Sequence, residues 1–368
     1  MKRFLFIIFV LLLLPLTAYA DFTNSNEPVI NLSIDDAISR LEQGNPELEL
    51  IKKKIVIYEK KYKTALEQAE RAGNMQGYSE KLNIQYREEE RLNWQLRALE
   101  LDDIRNQYHT TLLNKKYYLK QLYFNILISQ NEFDLINTEI TNIDKKVQEL
   151  NAKIKLGKAL ENDRKLLNAE KLMLTNQKNE VKKQIESAMI NLKKELGIEI
   201  SKQIRLQNSL QEYKIMDSIN IDERISDAVK HDFEFLKLDR RYKLKALEKQ
   251  IILENTANRD SLDMTSYDIA LFEIEAQIKS KQASIAGDLW IEYNTLLILE
   301  DNIKLEELNL ELEKLNYDAT QAKVKLGMMD IATEYTSRVA YNRQKNNLQR
   351  AKYNYLLAAE QLSEKLEI

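Results

Sequence analysis

Residues 152–163 read AKIKLGKALEND, and residues 322–333 read AKVKLGMMDIAT. From Ala152 to Gly157 and from Ala322 to Gly327 the two stretches match in character, position by position. The 368-residue chain holds only seven glycines, so two at equivalent places mark a duplicated structural element. Glycine supplies the left-handed backbone that ends a helix. The repeated Lys-Leu-Gly therefore reads as one turn made twice, and the flanking sequence shows what each turn terminates.

Upstream of Gly157 there is no helix breaker from about Ser79 to Lys155. At 1.5 Å per residue that is a rod of roughly 110 Å. Its second half steps by 3 and 4 through Leu119, Leu122, Ile126, Ser129, Phe133, Ile136, Ile140, Ile143, Val147, Leu150 and Ile154. Only Ser129 is polar, and a seam of this kind is a coiled-coil signature. Upstream of Gly327 a second rod runs from about Ser266 to Lys325. Ile285, Leu289, Leu296, Leu299 and Ile303 read as one apolar face, continued by Leu305, Leu308, Leu312, Leu315, Ala319, Ala322 and Leu326. Each turn is followed by a shorter helix, about 160–196 and 330–366. Leu192, Leu196 and Ile198 recur as Leu362, Leu366 and Ile368 at the same 170-residue offset.

A second correspondence precedes the rods. Ile34-Asp35-Asp36-Ala37-Ile38-Ser39 resembles Ile221-Asp222-Glu223-Arg224-Ile225-Ser226, with Ser33 and Asn220 placed as N-caps. Asn45-Pro46 opens a helix to about Ala72, proline being tolerated in the first turn. Its counterpart runs from Phe233 to about Glu254. The chain is expected to be all-α, with little or no β: two tandem repeats, 21–198 and 220–368, joined by 199–219, each built on a long antiparallel coiled-coil hairpin. Composition agrees. Only three prolines occur, the last at Pro46, and charged residues make up 31% of the chain.

Residues 1–20 stand apart. Lys2-Arg3 precedes an apolar run and Ala18-Tyr19-Ala20, the pattern of a cleaved secretory signal peptide. Removing it takes two of 55 basic residues and none of 58 acids, leaving a formal charge of −5. That balance argues against a nucleic-acid partner. The absence of cysteine excludes disulfides and thiol catalysis, so packing alone holds an exported fold together.

Enzyme chemistry finds no foothold. His109 and His231 sit in different segments without metal spacing, and His109 reads as a coil-surface residue. Glu88-Glu89-Glu90 reads as solvated helix face. Asp163 and Asp330, just after the turns, suit helix N-termini. Tyr117-Tyr118 and Tyr353/Tyr355 read as seam and rim packing. Trp94 and Trp290 fit either packing between rods or a wet surface. No cofactor and no metal are expected.

The opening LSIDDAISRLEQGNPELELIKKKI, the two-fold repeat, the KLG turns and the endings NLKKELGI and QLSEKLEI together resemble the outer-membrane efflux protein (TolC) family. The resemblance spans 32–368. It implies a homotrimer in which three chains build a twelve-helix tunnel. It also implies export of small molecules or secreted proteins, with the hairpin tips docked on a periplasmic adaptor that serves an inner-membrane pump. The family's tip motif maps onto Leu156-Gly157 and Leu326-Gly327. With flanking Lys155, Lys158, Lys325 and Met328, these are the expected adaptor contact.

One family feature is missing from the sequence. A β-hairpin should interrupt each repeat before the long rod and contribute to a membrane barrel. A spanning strand takes ~9–11 residues of alternating polarity. The breaks here, AGNMQGYSE at about 72–80 and NTANRDSLDMTS at about 255–266, neither alternate nor supply two such strands. An alternative reading is therefore a non-conducting structural coiled coil of the cell envelope.

Overall fold

The computed structural model describes residues 29–207, 220–257, 263–329 and 331–366. The expected signal peptide, part of the joining segment, Asp330 and Ile368 lie outside the described residues. Two short strands, β1 (Ile30–Leu32) and β2 (Ile204–Leu206), accompany nine α-helices among the described residues: α1 (Ile34–Gly44), α2 (Pro46–Gly73), α3 (Glu80–Glu88), α4 (Trp94–Lys155), α5 (Glu161–Glu195), α6 (Ile221–His231), α7 (Phe233–Glu254), α8 (Thr265–Lys325) and α9 (Ile331–Leu366). The all-α expectation holds. The first rod is α3 and α4, joined without a break by a π-helical turn at Glu89–Asn93. A π turn inserts one residue into the helical ladder without ending it.

Local chemistry sets most helix starts. Ser33 caps α1 in a reciprocal box: its Oγ accepts from the Asp36 amide at 3.1 Å, while Asp36 accepts from the Ser33 amide at 3.3 Å. Asn45 caps α2, its Oδ1 accepting from the Glu47 and Leu48 amides. The same buried side chain donates through Nδ2 to the backbone oxygen and the carboxylate of Glu195, at 3.2 and 3.0 Å. Lys115 on α4 bridges Glu47 and Glu195, both at 3.0 Å. Asn45 thus pins the start of α2 to the end of α5, and Lys115 ties both to α4. Asn220 does not cap α6 as the sequence implied. Its backbone (φ −74°, ψ 88°) falls short of the extended cap conformation, and its amide donates to Glu223 instead.

The helices lie side by side in a layer. α4 packs on α2 along its first half and on α5 along its second, so the two shorter helices sit end to end against the rod. α7 and α9 do the same along α8. The two hairpins meet where α4 and α9 run antiparallel. That contact carries Lys120–Glu360, Glu132–Arg350 at 3.7 Å, Glu139–Arg343 at 3.2 Å and Lys145 over the Tyr335 ring. The order across the layer is α5, α4, α9, α8, with α5 and α8 at the edges.

The core is a string of clusters. The largest lies at the waist, where Leu119, Tyr123, Phe124 and Ile126 of α4 meet Leu32, Leu41, Leu48, Leu192 and Tyr353. Phe124 and Tyr353 stack at 4.1 Å. The strands pair in parallel here, Ile30 opposite Ile204. The Tyr123 hydroxyl reaches the backbone oxygens of Leu32 and Gln207, closing the pair's end. A second cluster joins Leu289, Leu296 and Ile303 of α8 to Ile225, Tyr355 and Leu362. Tyr353 and Tyr355 are thus core residues. Trp290 packs at this cluster's margin, edge-on to Tyr293.

One sequence reading fails on α8. Ile303 and Leu305 are two residues apart, about 200° around a helix, so they cannot share a face. Leu289, Leu296 and Ile303 turn inward; Leu305, Leu308, Leu312 and Leu315 are 54–60% exposed.

Gly197 ends α5 at φ +62°, and an added Cβ would sit 2.8 Å from the Gly44 carbonyl oxygen. Gly327, at φ +72°, has nothing within 4 Å of such a Cβ. A non-glycine residue in this conformation costs roughly 1–2 kcal/mol. Gly327→Ala is expected to lose about that much in urea unfolding, and Gly197→Ala distinctly more, because backbone must move as well.

Candidate functional site

Both hairpin turns are built identically. α4 ends at Lys155, Leu156 caps it, and Gly157 turns left-handed at φ +67°. The Gly157 amide donates to the Ile154 carbonyl and the Lys158 amide to the Lys153 carbonyl, each at 2.9 Å. At the second turn Gly327 donates to Val324 and Met328 to Lys323, again at 2.9 Å. This paired pattern is a Schellman motif, which satisfies the carbonyls a helix leaves open at its end. Open space surrounds both glycines, so the residue type follows from the backbone angle and not from crowding.

The motif makes each turn a blunt knob with an apolar point. Leu156 is 69% exposed, Leu326 72% and Met328 74%. Lys155, Lys158 and Lys325 are exposed beside them. The two tips lie at the same end of the layer, since Lys145 of α4 covers Tyr335, near the start of α9. Leu160 (70% exposed) and Met329 (40%) join the apolar points. Sequence reasoning passed over both because they lie more than one residue beyond the glycines. Asp163 accepts from the Leu160 amide at 3.3 Å, a helix-start role. The lysines have a simple structural use as well, since cations suit helix C-termini.

Behind the tips, α4, α5 and α9 enclose a cavity of about 320 Å³ lined by Glu139, Asn142, Glu170, Tyr335 and Arg343 among others. Burial raises the Glu139 carboxyl above the ordinary range, against the pull of Arg343 and with a push from Glu170. The buried Asn142 amide nitrogen has no hydrogen-bond partner among the described residues. A polar cavity of this size has room for ordered water, which would complete both groups. At the waist, burial first and then Glu364 and Glu360 push the Tyr117 phenol up to about 12. His109 and His231 are exposed. Among the described residues no three His, Asp or Glu side chains gather as a metal site would require.

The second surface of note is the α8 edge. Towards α9, its tip-side half presents polar or aromatic groups: Glu306 bonds Gln344, and Tyr317 stacks on Tyr341 at 5.9 Å. Away from α9 it presents Leu305, Leu308, Leu312 and Leu315, with Ile291 and Ile298 (66 and 68% exposed) further up. At the opposite edge α5 exposes Leu166, Leu172 and Met173 at 62–70%. A globular helix buries its leucines and exposes its glutamates; this stretch of α8 exposes four of its five leucines while half-burying Glu306 and Glu313.

No family model matches the sequence, and no curated protein resembles it by sequence. Solved structures do match. CusC, described with its transmembrane channel formation, superposes with a TM-score of 0.66 at 10% identity, covering 94% of this chain and 95% of that one. The Campylobacter jejuni CmeC outer membrane channel gives 0.63 at 10% identity, over 90% of this chain and 85% of its own. The Vibrio cholerae outer membrane protein VceC gives 0.58 at 11% identity, over 90% and 95%. The fold is that of the TolC-like outer-membrane channels. Matches that cover nine-tenths of the chain at a tenth identity show shared architecture carried by helix order and length, with almost no side chain in common. In a TolC-like wall, the Leu156-Gly157 and Leu326-Gly327 knobs occupy the two hairpin ends, and α5 and α8 are its free margins.

Proposed function

We propose that this chain is a subunit of an export conduit in the cell envelope. Residues 1–20 direct its export, and 21–198 and 220–368 act as two equivalent repeats about the 199–219 joint. The observation that carries this reading is the reversed polarity of α8. Burying a leucine side chain contributes roughly 1.5–3 kcal/mol, so a row of four exposed leucines calls for a cover that the described residues do not supply. The cover that fits is the α5 margin of a second copy, with its Leu166, Leu172 and Met173. Such a contact is head-to-tail, and a head-to-tail contact whose rotation closes makes a ring. With four helices across each chain, three copies give the twelve-helix tunnel that the family resemblance implies, and the lumen is the path for small molecules or secreted proteins.

The tips would then stand in a ring at one end. Lys155, Leu156, Gly157 and Lys158, with Lys325, Leu326, Gly327 and Met328, form an apolar point set in positive charge, suited to a helical hairpin of an adaptor that links the conduit to a membrane pump. Replacing both Gly157 and Gly327 by valine is expected to leave far-UV helicity unchanged and abolish adaptor capture and export. Normal export by that variant would remove the tips from the docking role.

A second reading, a non-conducting scaffold of the envelope, draws on the short connections at the end opposite the tips. Electron microscopy separates the two. The conduit reading expects end-on views with threefold symmetry and an open centre, lost in Leu308→Asp/Leu312→Asp chains that keep their helicity. A solid rod, or rings unaffected by that double change, would favour the scaffold.

A further inference from the structure

The end of the wall opposite the tips is formed by two connections. Residues 74–79 join α2 to α3, and residues 255–264 join α7 to α8. A chain reaches at most about 3.3–3.6 Å per residue, so six residues span roughly 20 Å and ten roughly 35 Å. Crossing the apolar band of an outer-membrane barrel and returning requires about 50 Å, twice its ~25 Å height. Neither connection can do so, and the count holds whatever conformation residues 258–262 adopt.

The first connection is closed by side chains. The Gly77 amide donates to the Asn83 Oδ1 at 2.6 Å, the Arg87 guanidinium donates to the Met75 carbonyl at 2.6 Å, and Ser79 caps α3. The Ala257 amide of the second connection donates to Glu80 at 3.0 Å, and Arg91 pairs with Glu254 at 2.6 Å. These backbone groups find local polar partners, as water-facing turns do. Tyr78, at the crest, is 96% exposed. The helices beneath are no more compatible with hydrocarbon. About 17 residues of helix would cover 25 Å, and the last 17 of α2 include Glu59, Lys60, Lys63, Glu67, Glu70 and Arg71. No helix among the described residues is long and apolar enough to cross a membrane.

We infer that this end of the wall stays in water, so that Tyr78 and the Lys158 tip lie in one aqueous compartment, on the same side of any outer membrane. The inference stands on the reach of the chain and is independent of the conduit reading. If the conduit reading also holds, cargo leaves this tube into the aqueous layer outside the pump's membrane, and passage through a further bilayer falls to another component.

Because the chain has no cysteine, a single introduced thiol reports its own compartment. Full-length chains carrying Tyr78→Cys or Lys158→Cys would be produced in a bacterium with two membranes. They would then be exposed to a charged maleimide too large to pass an intact outer membrane. Both positions should go unlabelled on intact cells, and both should label fully once the outer membrane is permeabilised. Labelling of Tyr78→Cys on intact cells while Lys158→Cys is blocked would overturn the inference. So would protection of Tyr78→Cys under both conditions while Lys158→Cys labels after permeabilisation. The mass of the same chains tests the conduit reading separately: loss of self-association counts against that reading, while the labelling pattern still decides the compartment.

Discussion

A wall one helix thick has two faces and two margins, and that constraint governs this molecule. α4 and α8 are 62 and 61 residues long, too long for flanking helices to wrap into a single core. Each rod is instead lined by two shorter helices laid end to end, and burial is divided into small clusters along its length. The arrangement leaves α5 and α8 with one neighbour fewer than the helices between them. On α8 the missing neighbour shows in the sequence itself, as leucines placed where a surface helix would carry glutamate.

The polar interior of the tip-side half of α8 follows from the same constraint. Glu306, Gln344, Tyr317 and Tyr341 hold α8 to α9 through directional contacts, while Glu132–Arg350 and Glu139–Arg343 hold α9 to α4. Partly exposed ion pairs contribute little to stability, and their service here is to fix register between long parallel surfaces that could otherwise slide. The waist differs: Phe124, Tyr123, Leu192 and Tyr353 pack tightly, and Asn45 ties three helices together. The molecule is thus packed most extensively at its middle, and towards its tips polar contacts accompany a few buried side chains, Ile136, Ile143, Val181 and Val339.

Much of this was legible in the sequence because helix ends are local chemistry. Ser33 with Asp36, Asn45 before Pro46, and the two Leu-Gly turns each specify a terminus within a few residues, and the observed helices begin and end there. Other features depend on distant partners and left no such mark. Asn220 has the right side chain for a cap and the wrong backbone angles. The π turn at Glu89–Asn93 has no breaker to announce it. β1 and β2, three residues each, show no alternation and exist because Tyr123 and the waist cluster bring them together. The apolar residues of α8 looked like one stripe because steps of 3 and 4 on either side of Ile303 hide a two-residue shift to the opposite face. The tip residues were visible as a repeat, and their exposure needed the fold. What touches them is a matter of another molecule's chemistry, which this chain does not encode.

The account depends most on the α8 leucines being covered by a further copy of the same chain. Sedimentation equilibrium of the processed chain in plain buffer measures this directly. The account predicts a single species at three times the chain mass, persisting on dilution through the micromolar range. A fully helical, cooperatively folded species at one chain mass across that range would contradict it.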